Sequence, residues 1–264
     1  MKKPIVAVCY DFDKTLATND MQTFKFIPSL GLQPNEFWKM CRDFSVENNG
    51  MDATLCFMRV MMRECEKRGI PMTRNYLMEC GKYVEFFNGV KSWFERINAY
   101  GKKHGVEVEH YLITTGNKEI VEGCPIHKEF KYIYGSEYLY NENGVAYWPR
   151  TIVNYTLKTQ HLFRISKGFM DLSDETSVNQ RVEHKHVPFE NMVYVGDGFT
   201  DIPCMAIVKE KGGVAISVYP QGYDEVSKKL VSDDRVNYAC LADYSENSEM
   251  EKVLKSFIDR HATK

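Results

Sequence analysis

No stretch of the 264-residue chain approaches the ~18 uninterrupted apolar residues of a membrane-spanning helix. The apolar stretch after Lys2 and Lys3 is also far too short for a signal peptide or a membrane span. Among the eight cysteines (Cys9, Cys41, Cys56, Cys65, Cys80, Cys124, Cys204 and Cys240) there is no CxxC pair. That scatter disfavours a zinc site or a disulfide framework and favours buried free thiols in a reducing compartment. Strong charge of either sign is missing too: the formal net charge is −2. A mainly electrostatic nucleic-acid binder is normally basic, so that class is disfavoured. No internal repeat and no low-complexity linker interrupts the chain. These absences lead to the expectation of a soluble, cytoplasmic protein with no nucleic-acid or membrane partner. They indicate no oligomeric state.

What remains is ordinary globular composition, 44% apolar and 27% charged, with length enough for one large domain or two smaller ones. The stretch "VCYDFDKTLATND" begins as a buried strand, residues 5–10, and runs straight into Asp11 and Asp13. Four further short apolar runs, at 108–113, 130–134, 192–195 and 214–218, read as buried strands opening into polar or glycine-rich residues. Helical patterns at 91–100, after Lys158, and over Met250, Val253, Leu254, Phe257 and Ile258 separate most of them. The expected fold is therefore α/β, a Rossmann-like parallel sheet with helices on both faces. Ligands bind such sheets at the carboxyl ends of the strands, which puts Asp11, Asp13, Thr114 and Asp197 at one rim.

Two segments break the alternation. Residues 17–88 contain no convincing strand and read as helices near 34–47, 52–68 and from about 73. Met58, Met61, Met62 and Cys65 follow helical spacing there, read first as core packing and second as an adaptable substrate pocket. The second break, "SEYLYNENGVAYW" at 136–148, is a hairpin signal around Asn143-Gly144. Residues 171–186 read as a polar surface excursion, in which His184 and His186 are solvated rather than metal-binding.

The acids at the rim suit phosphoryl transfer, which needs a nucleophile, a proton donor and cations that offset the phosphate charge. Asp11 fits the nucleophile and Asp13 the acid/base, with Thr15 placed to stabilise the turn that follows. A DxD at a strand end alone is equally compatible with a structural turn. In "VYVGDGFTD", Asp197 with Asp11, a backbone carbonyl and waters would suit octahedral Mg²⁺. Asp201 fits a place behind the ligands or a water-mediated contact, and equally a helix cap ahead of Pro203. The hydroxyl and amides of Thr114-Thr115-Gly116 suit a phosphate cradle or a simple cap. Lys158, at the start of a helical pattern, is the candidate cation; Lys167, at the far end of that pattern, competes.

The ordered set "DFDKTLA", "YLITTG", a lysine and "GDGFTD" resembles the four motifs of the haloacid dehalogenase (HAD) superfamily, over residues 5 to about 218. The likeness is nearest to the phosphoserine-phosphatase-like branch, in which a helical cap separates the first two motifs and a hairpin stands between the second and third. The resemblance implies a core of residues 1–16 and 89–264 and a small α-helical cap domain, 17–88. It implies Asp11 as nucleophile, Asp13 as acid/base, and Thr114, Thr115 and Lys158 on the phosphate. Mg²⁺ would be held by Asp11, the Asp13 carbonyl and Asp197. An acid at the Asp13 position is typical of phosphatases and phosphomutases; P-type ATPases carry Thr there. The function implied is Mg²⁺-dependent hydrolysis of a small phosphorylated metabolite through an aspartyl-phosphate. The alternatives are a phosphomutase or phosphotransferase, or a catalytically idle module that binds a phosphorylated ligand. Asp20 matches the position of a substrate-gripping glutamate in phosphoserine phosphatases and reads equally as a helix cap. The cap arginine of that branch has no single counterpart, Arg42, Arg59 and Arg63 all being candidates, so phosphoserine itself is not implied.

Overall fold

The computed structural model describes residues 3–262; residues 1–2 and 263–264, the outer ends of the expected core ranges, lie outside the described residues. Strand β1 (Ile5–Tyr10) leads through two short helical turns, α1 (Met21–Phe24) and α2 (Phe26–Ser29), into α3 (Pro34–Glu47), α4 (Ala53–Lys67) and α5 (Arg74–Gly81). Helix α6 (Val90–Lys103) returns the chain to β2 (Glu107–Asn117), and α7 (Lys118–Glu122) precedes the hairpin of β3 (Tyr132–Tyr140) and β4 (Ala146–Thr151). Next come α8 (Leu157–Lys167), α9 (Glu175–Asn179), β5 (Met192–Gly196), α10 (Ile202–Glu210) and β6 (Val214–Tyr219). Then α11 (Glu225–Ser232), β7 (Tyr238–Leu241) and α12 (Glu249–Arg260) complete the order.

Among the described residues, seven strands form one sheet in the order β4-β3-β2-β1-β5-β6-β7, parallel throughout except for the β3–β4 hairpin. Alternation along β1 shows why it is central. Val6, Val8 and Tyr10 face a cluster with Trp93, Phe94 and Ile97 of α6 and Leu254 and Phe257 of α12. Ile5, Ala7 and Cys9 face another with Leu162 and Ile165 of α8 and Met205 and Val208 of α10. Tyr10, the last residue of β1, pairs with Leu112 on one side and Val195 on the other, so β5 ends one residue beyond β1 while β2 runs on to Asn117. The chain crosses from β1 to β2 in one direction and returns to β5 in the other, which leaves a crevice at their carboxyl ends.

Some expectations differ from the structure. The run at 130–134 and the first hairpin arm are one strand, β3, because Ser136 continues the pairing to Asn117. Thr114, Thr115 and Gly116 lie inside β2 rather than in a strand-to-helix turn; the ladder with β3 slips between Ile113 and Asn117 but does not end there. β7, a four-residue edge strand with Tyr238 and Leu241 exposed, has too little alternation to be read from sequence. All eight cysteines are buried and free. Within the polar excursion, His186 pairs with buried Glu109 at 2.8 Å.

The helices between β1 and β2 are started by local caps: Asp52 accepts from the Thr54 and Leu55 amides, and Thr73 from the Tyr76 amide. Met58, Met61, Met62 and Cys65 are buried and belong, with Phe26 and Phe37, to the same continuous cluster as Val6 and Trp93. Polar bonds hold these helices to the β3–β4 hairpin. The Tyr138 hydroxyl donates to the Met58 carbonyl (3.0 Å), the Ala146 amide to the Met72 carbonyl (2.9 Å), and Arg74 reaches Glu122 and, at 3.1 Å, Glu137. Where α5 crosses α7, Gly81 and Gly123 let the two backbones touch: a Cβ on Gly123 would overlap the Met78 carbonyl, and one on Gly81 the Ile120 carbonyl. Backbone cannot retreat as a side chain can. Gly123→Ala is therefore expected to destabilise the protein by about 3 kcal/mol, the upper end of overpacking costs, measured by urea unfolding; an unchanged midpoint would refute so close a crossing.

Candidate active site

Four acids and a lysine converge at the ends of β1 and β5. The Asp11 amide continues the ladder by donating to the Val195 carbonyl at 2.9 Å. Phe12, fully buried against Phe86, anchors the next residue inward, and the amides of Leu16 and Ala17 close a turn on the Phe12 carbonyl at 2.9 and 3.0 Å. Thr15 contributes to this turn through its backbone only, because its hydroxyl has no hydrogen-bond partner. The Asp13 carboxylate accepts the amide of Met21, the first residue of α1, at 2.7 Å through Oδ1.

Lys158, the second residue of α8, is fully buried. Its helix begins on Asn154, whose side-chain oxygen accepts the Leu157 amide at 2.9 Å. The Lys158 ammonium donates to Asp11 Oδ1 at 2.8 Å and to Asp201 Oδ1 at 2.7 Å. Its competitor Lys167 is turned away and donates to the carbonyls of Val178 and Gln180. Asp201 is fully buried and also accepts the Tyr194 hydroxyl at 2.7 Å. Its place depends on Gly196, where any Cβ would overlap the Asp201 carboxyl group. Asp201 does not cap α10 through its side chain. Carboxylate oxygens of Asp11, Asp197 and Asp201 all lie within 4.8 Å of one another; the Asp13 carboxylate stands outside this trio.

Thr114 is buried, and its hydroxyl accepts the Gly116 amide at 3.0 Å. Thr115 lines the cleft above the acids, and its carbonyl accepts Ser136 Oγ at 2.9 Å. The cleft, about 370 Å³, is bordered by Asp11, Asp13, Asp197 and Thr115, with Lys14, Asp20 and residues 198–200 completing much of its rim. Asp20 pairs with Lys14 at 2.8 Å and makes no capping bond. A larger cleft of about 590 Å³ beside β3 and β4 contains none of these acids. Chemistry, rather than size, marks the smaller one.

Crowding shifts the titrations. Burial, then repulsion from Asp201, pushes Asp11 up to about 6 against the pull of Lys158. Burial, then repulsion from Asp201 and Asp11, pushes Asp197 up to about 8. Asp13 is raised by burial, then by Asp20 and Asp11. Burial lowers Lys158, but the carboxylates of Asp11 and Asp201 outweigh it and hold the ammonium charged. Such a donor set, all oxygen and carrying excess negative charge, fits a hard divalent cation.

Sequence reading alone did not single out Tyr194 or the Met21 amide. A tyrosine inside "VYVGD" was the available signal for the first, since a buried hydroxyl requires a partner. No side-chain signal exists for the second.

No family model matches the chain. An uncharacterised protein of Borreliella burgdorferi is 24% identical over 279 residues, covering 94% of this chain and 95% of that protein. A phosphoserine phosphatase solved as a phospho-aspartyl intermediate analogue superposes with a TM-score of 0.56 at 14% identity, over 96% of this chain and 99% of that one. A probable phosphoserine phosphatase from Vibrio cholerae gives 0.62 at 11% identity, over 98% and 65%. A HAD family hydrolase from Salmonella enterica serovar Typhi gives 0.57 at 14% identity, over 90% and 67%. This chain thus spans about two thirds of the length of the latter two. The fold is that of the haloacid dehalogenase hydrolases, and phosphoserine phosphatases are among the proteins that share it.

The trio of carboxylates leads to a test that needs no turnover. Mg²⁺ at about a hundred times its Kd is expected to stabilise the fold by about 2.7 kcal/mol, read as a raised thermal midpoint. Asp197→Asn is expected to abolish that shift. An unfolded Asp titrates at ~3.9, whereas burial and the repulsion of Asp201 and Asp11 push Asp197 in the fold up to about 8. Its ionisation therefore costs the metal-free fold stability that returns as pH falls through that window. Asp197→Asn should accordingly raise the metal-free midpoint more at pH 8 than at pH 5. A wild-type midpoint indifferent to Mg²⁺ would refute the metal site.

Proposed function

We propose that the protein is a Mg²⁺-dependent phosphomonoesterase acting on a small phosphorylated metabolite through an aspartyl-phosphate. The single observation that carries this reading is the buried ammonium of Lys158 bridging Asp11 and Asp201 at the ends of the two central strands. In this reading residues 17–88 are a cap over a core of 1–16 and 89–264. Asp11 and Asp197, with the Asp13 carbonyl, would hold Mg²⁺, whose contribution is to neutralise phosphate charge.

Asp11 attacks phosphorus while the bond from phosphorus to the ester oxygen breaks. Asp13 gives its proton to the departing alkoxide. Its raised titration supports that role, as does the geometry: Oδ1 is occupied by the Met21 amide, which leaves Oδ2 to carry the proton. The ionised Asp13 then takes a proton from water, the resulting hydroxide attacks phosphorus, and the acyl-phosphate bond breaks to return the Asp11 carboxylate. Lys158 offsets charge on the phosphoryl oxygens as Asp11 becomes esterified, with the Thr114 hydroxyl and the Thr115 amide as hydrogen-bond donors. Asp201, held by Tyr194, keeps the ammonium aimed during this exchange.

Mg²⁺-dependent phosphate release from a generic aryl phosphate is the expected activity, lost with EDTA and in Asp11→Asn. Full activity in Asp11→Asn would overturn the nucleophile assignment. Asp13→Asn is expected to lower kcat by about 10²-fold or more, the range for a lost general acid, while binding of a phosphate analogue such as vanadate persists. Wild-type turnover in that variant would remove Asp13 from proton transfer.

A further inference from the structure

One large apolar residue stands in water at this cleft. Phe199 lines it together with the acids and is 61% exposed, although phenylalanine ordinarily gains from burial. Its position follows from the turn that carries it. Residues Phe199–Asp201 form one 3-10 turn, in which Asp201 is fully buried and fastened to Lys158 and Tyr194. Fixing Asp201 inward leaves Phe199 at the exposed start of the same turn. Val226, from α11, lines the same cleft and adds a second apolar surface.

The charges around this aromatic surface limit what can rest on it. Asp11, Asp13, Asp20 and Asp197 line the cleft, and Lys14 is the lysine that lines it with them. That lysine is already held by Asp20 at 2.8 Å. Lys158 lies beneath, without exposure, between two carboxylates. Among the described residues no arginine lines this cleft; on the helices between β1 and β2, Arg59 pairs with Glu66 at 3.3 Å, Arg63 with Glu64 at 3.2 Å, and Arg42 is exposed on α3. A second anionic group on the substrate, beyond the phosphate, therefore meets acids and a cation already engaged. A flat uncharged group meets an exposed ring on which to stack.

Resting on the phosphatase reading, we infer that Phe199 determines specificity by stacking on the leaving group, and that the substrate is the phosphomonoester of an uncharged planar, aryl-type alcohol rather than of a carboxylate-bearing one. The side chain touches substrate, not the reacting atoms, so its effect belongs in the choice between leaving groups.

The test compares kcat/KM for 1-naphthyl phosphate, glycerol 2-phosphate and 2-phosphoglycerate, all with Mg²⁺, in wild type, Phe199→Ala and Phe199→Trp. Intrinsic reactivity cancels when each substrate ratio is compared between proteins. The naphthyl-to-glycerol ratio is expected to fall about tenfold or more in Phe199→Ala, the worth of one buried aromatic contact, and to be kept in Phe199→Trp. In wild type, 2-phosphoglycerate, which carries a carboxylate and no ammonium, is expected to be the poorest of the three. A ratio unchanged within about twofold, or an equal loss on every substrate, would overturn the role of Phe199. Preference for 2-phosphoglycerate over glycerol 2-phosphate would overturn the charge argument. Phosphate release from none of the three by wild type would overturn the phosphatase reading and this inference with it, whereas release with an unchanged ratio overturns this inference alone.

Discussion

The ammonium of Lys158 is the constraint on which the rest of the site depends. A buried lysine without counterions gives up its proton, and the carboxylates of Asp11 and Asp201 are the counterions that hold Lys158 charged. Each side of this triad makes the other possible. The three residues come from distant parts of the chain: Lys158 is 147 positions from Asp11 and 43 from Asp201. The bridge can therefore form only when β1, β5 and α8 are in their final places, and it ties the site's chemistry to the completed fold.

The sheet supplies the precision that such a bridge requires. Asp11 directly follows Tyr10 at the end of β1 and Asp197 directly follows Gly196 at the end of the neighbouring β5, while the buried ring of Phe12 separates Asp11 from Asp13 and the second acid turns toward α1. Gly196 leaves space for Asp201, and Tyr194 occupies one lone pair of its carboxylate. On the other side, the β3–β4 hairpin holds the helices that follow Asp13 through hydrogen bonds to the Met58 and Met72 carbonyls and through Arg74, and α7 holds them through the close crossing at Gly81 and Gly123. Negative charge is left in excess after Lys158 is satisfied, and in the proposed reading it would be a cation that offsets it.

Much of this was legible in the residues. Central strands buried on both faces are short continuous apolar runs, so β1, β2, β5 and β6 stood out, as did amphipathic α6 and α12. The acids at strand ends were conspicuous because charge rarely follows a buried strand without a purpose. Other features left no such trace. β7 pairs by backbone and buries little beyond Cys240. The continuity of β3 past Gly135 is a matter of pairing with Asn117, which no local pattern encodes. Lys158 could be placed at the rim from its position at the start of a helical pattern, in the first turn of α8, but its two carboxylate partners depend on tertiary geometry, and so does the Tyr194 hydroxyl. Asp20 looked equally like a cap or a substrate contact; in the fold it pairs with Lys14 on the cleft wall, a contact at six-residue separation that helix rules do not anticipate.

The account stands or falls on whether Asp11 becomes covalently phosphorylated. Its most direct measurement is acid-quenched single turnover with an aryl phosphate, followed by mass spectrometry of the peptide containing Asp11. The account predicts a transient phosphoryl adduct on Asp11 that decays as inorganic phosphate appears. Phosphate release with no adduct at Asp11 at any time, or with the adduct on another residue, would contradict it.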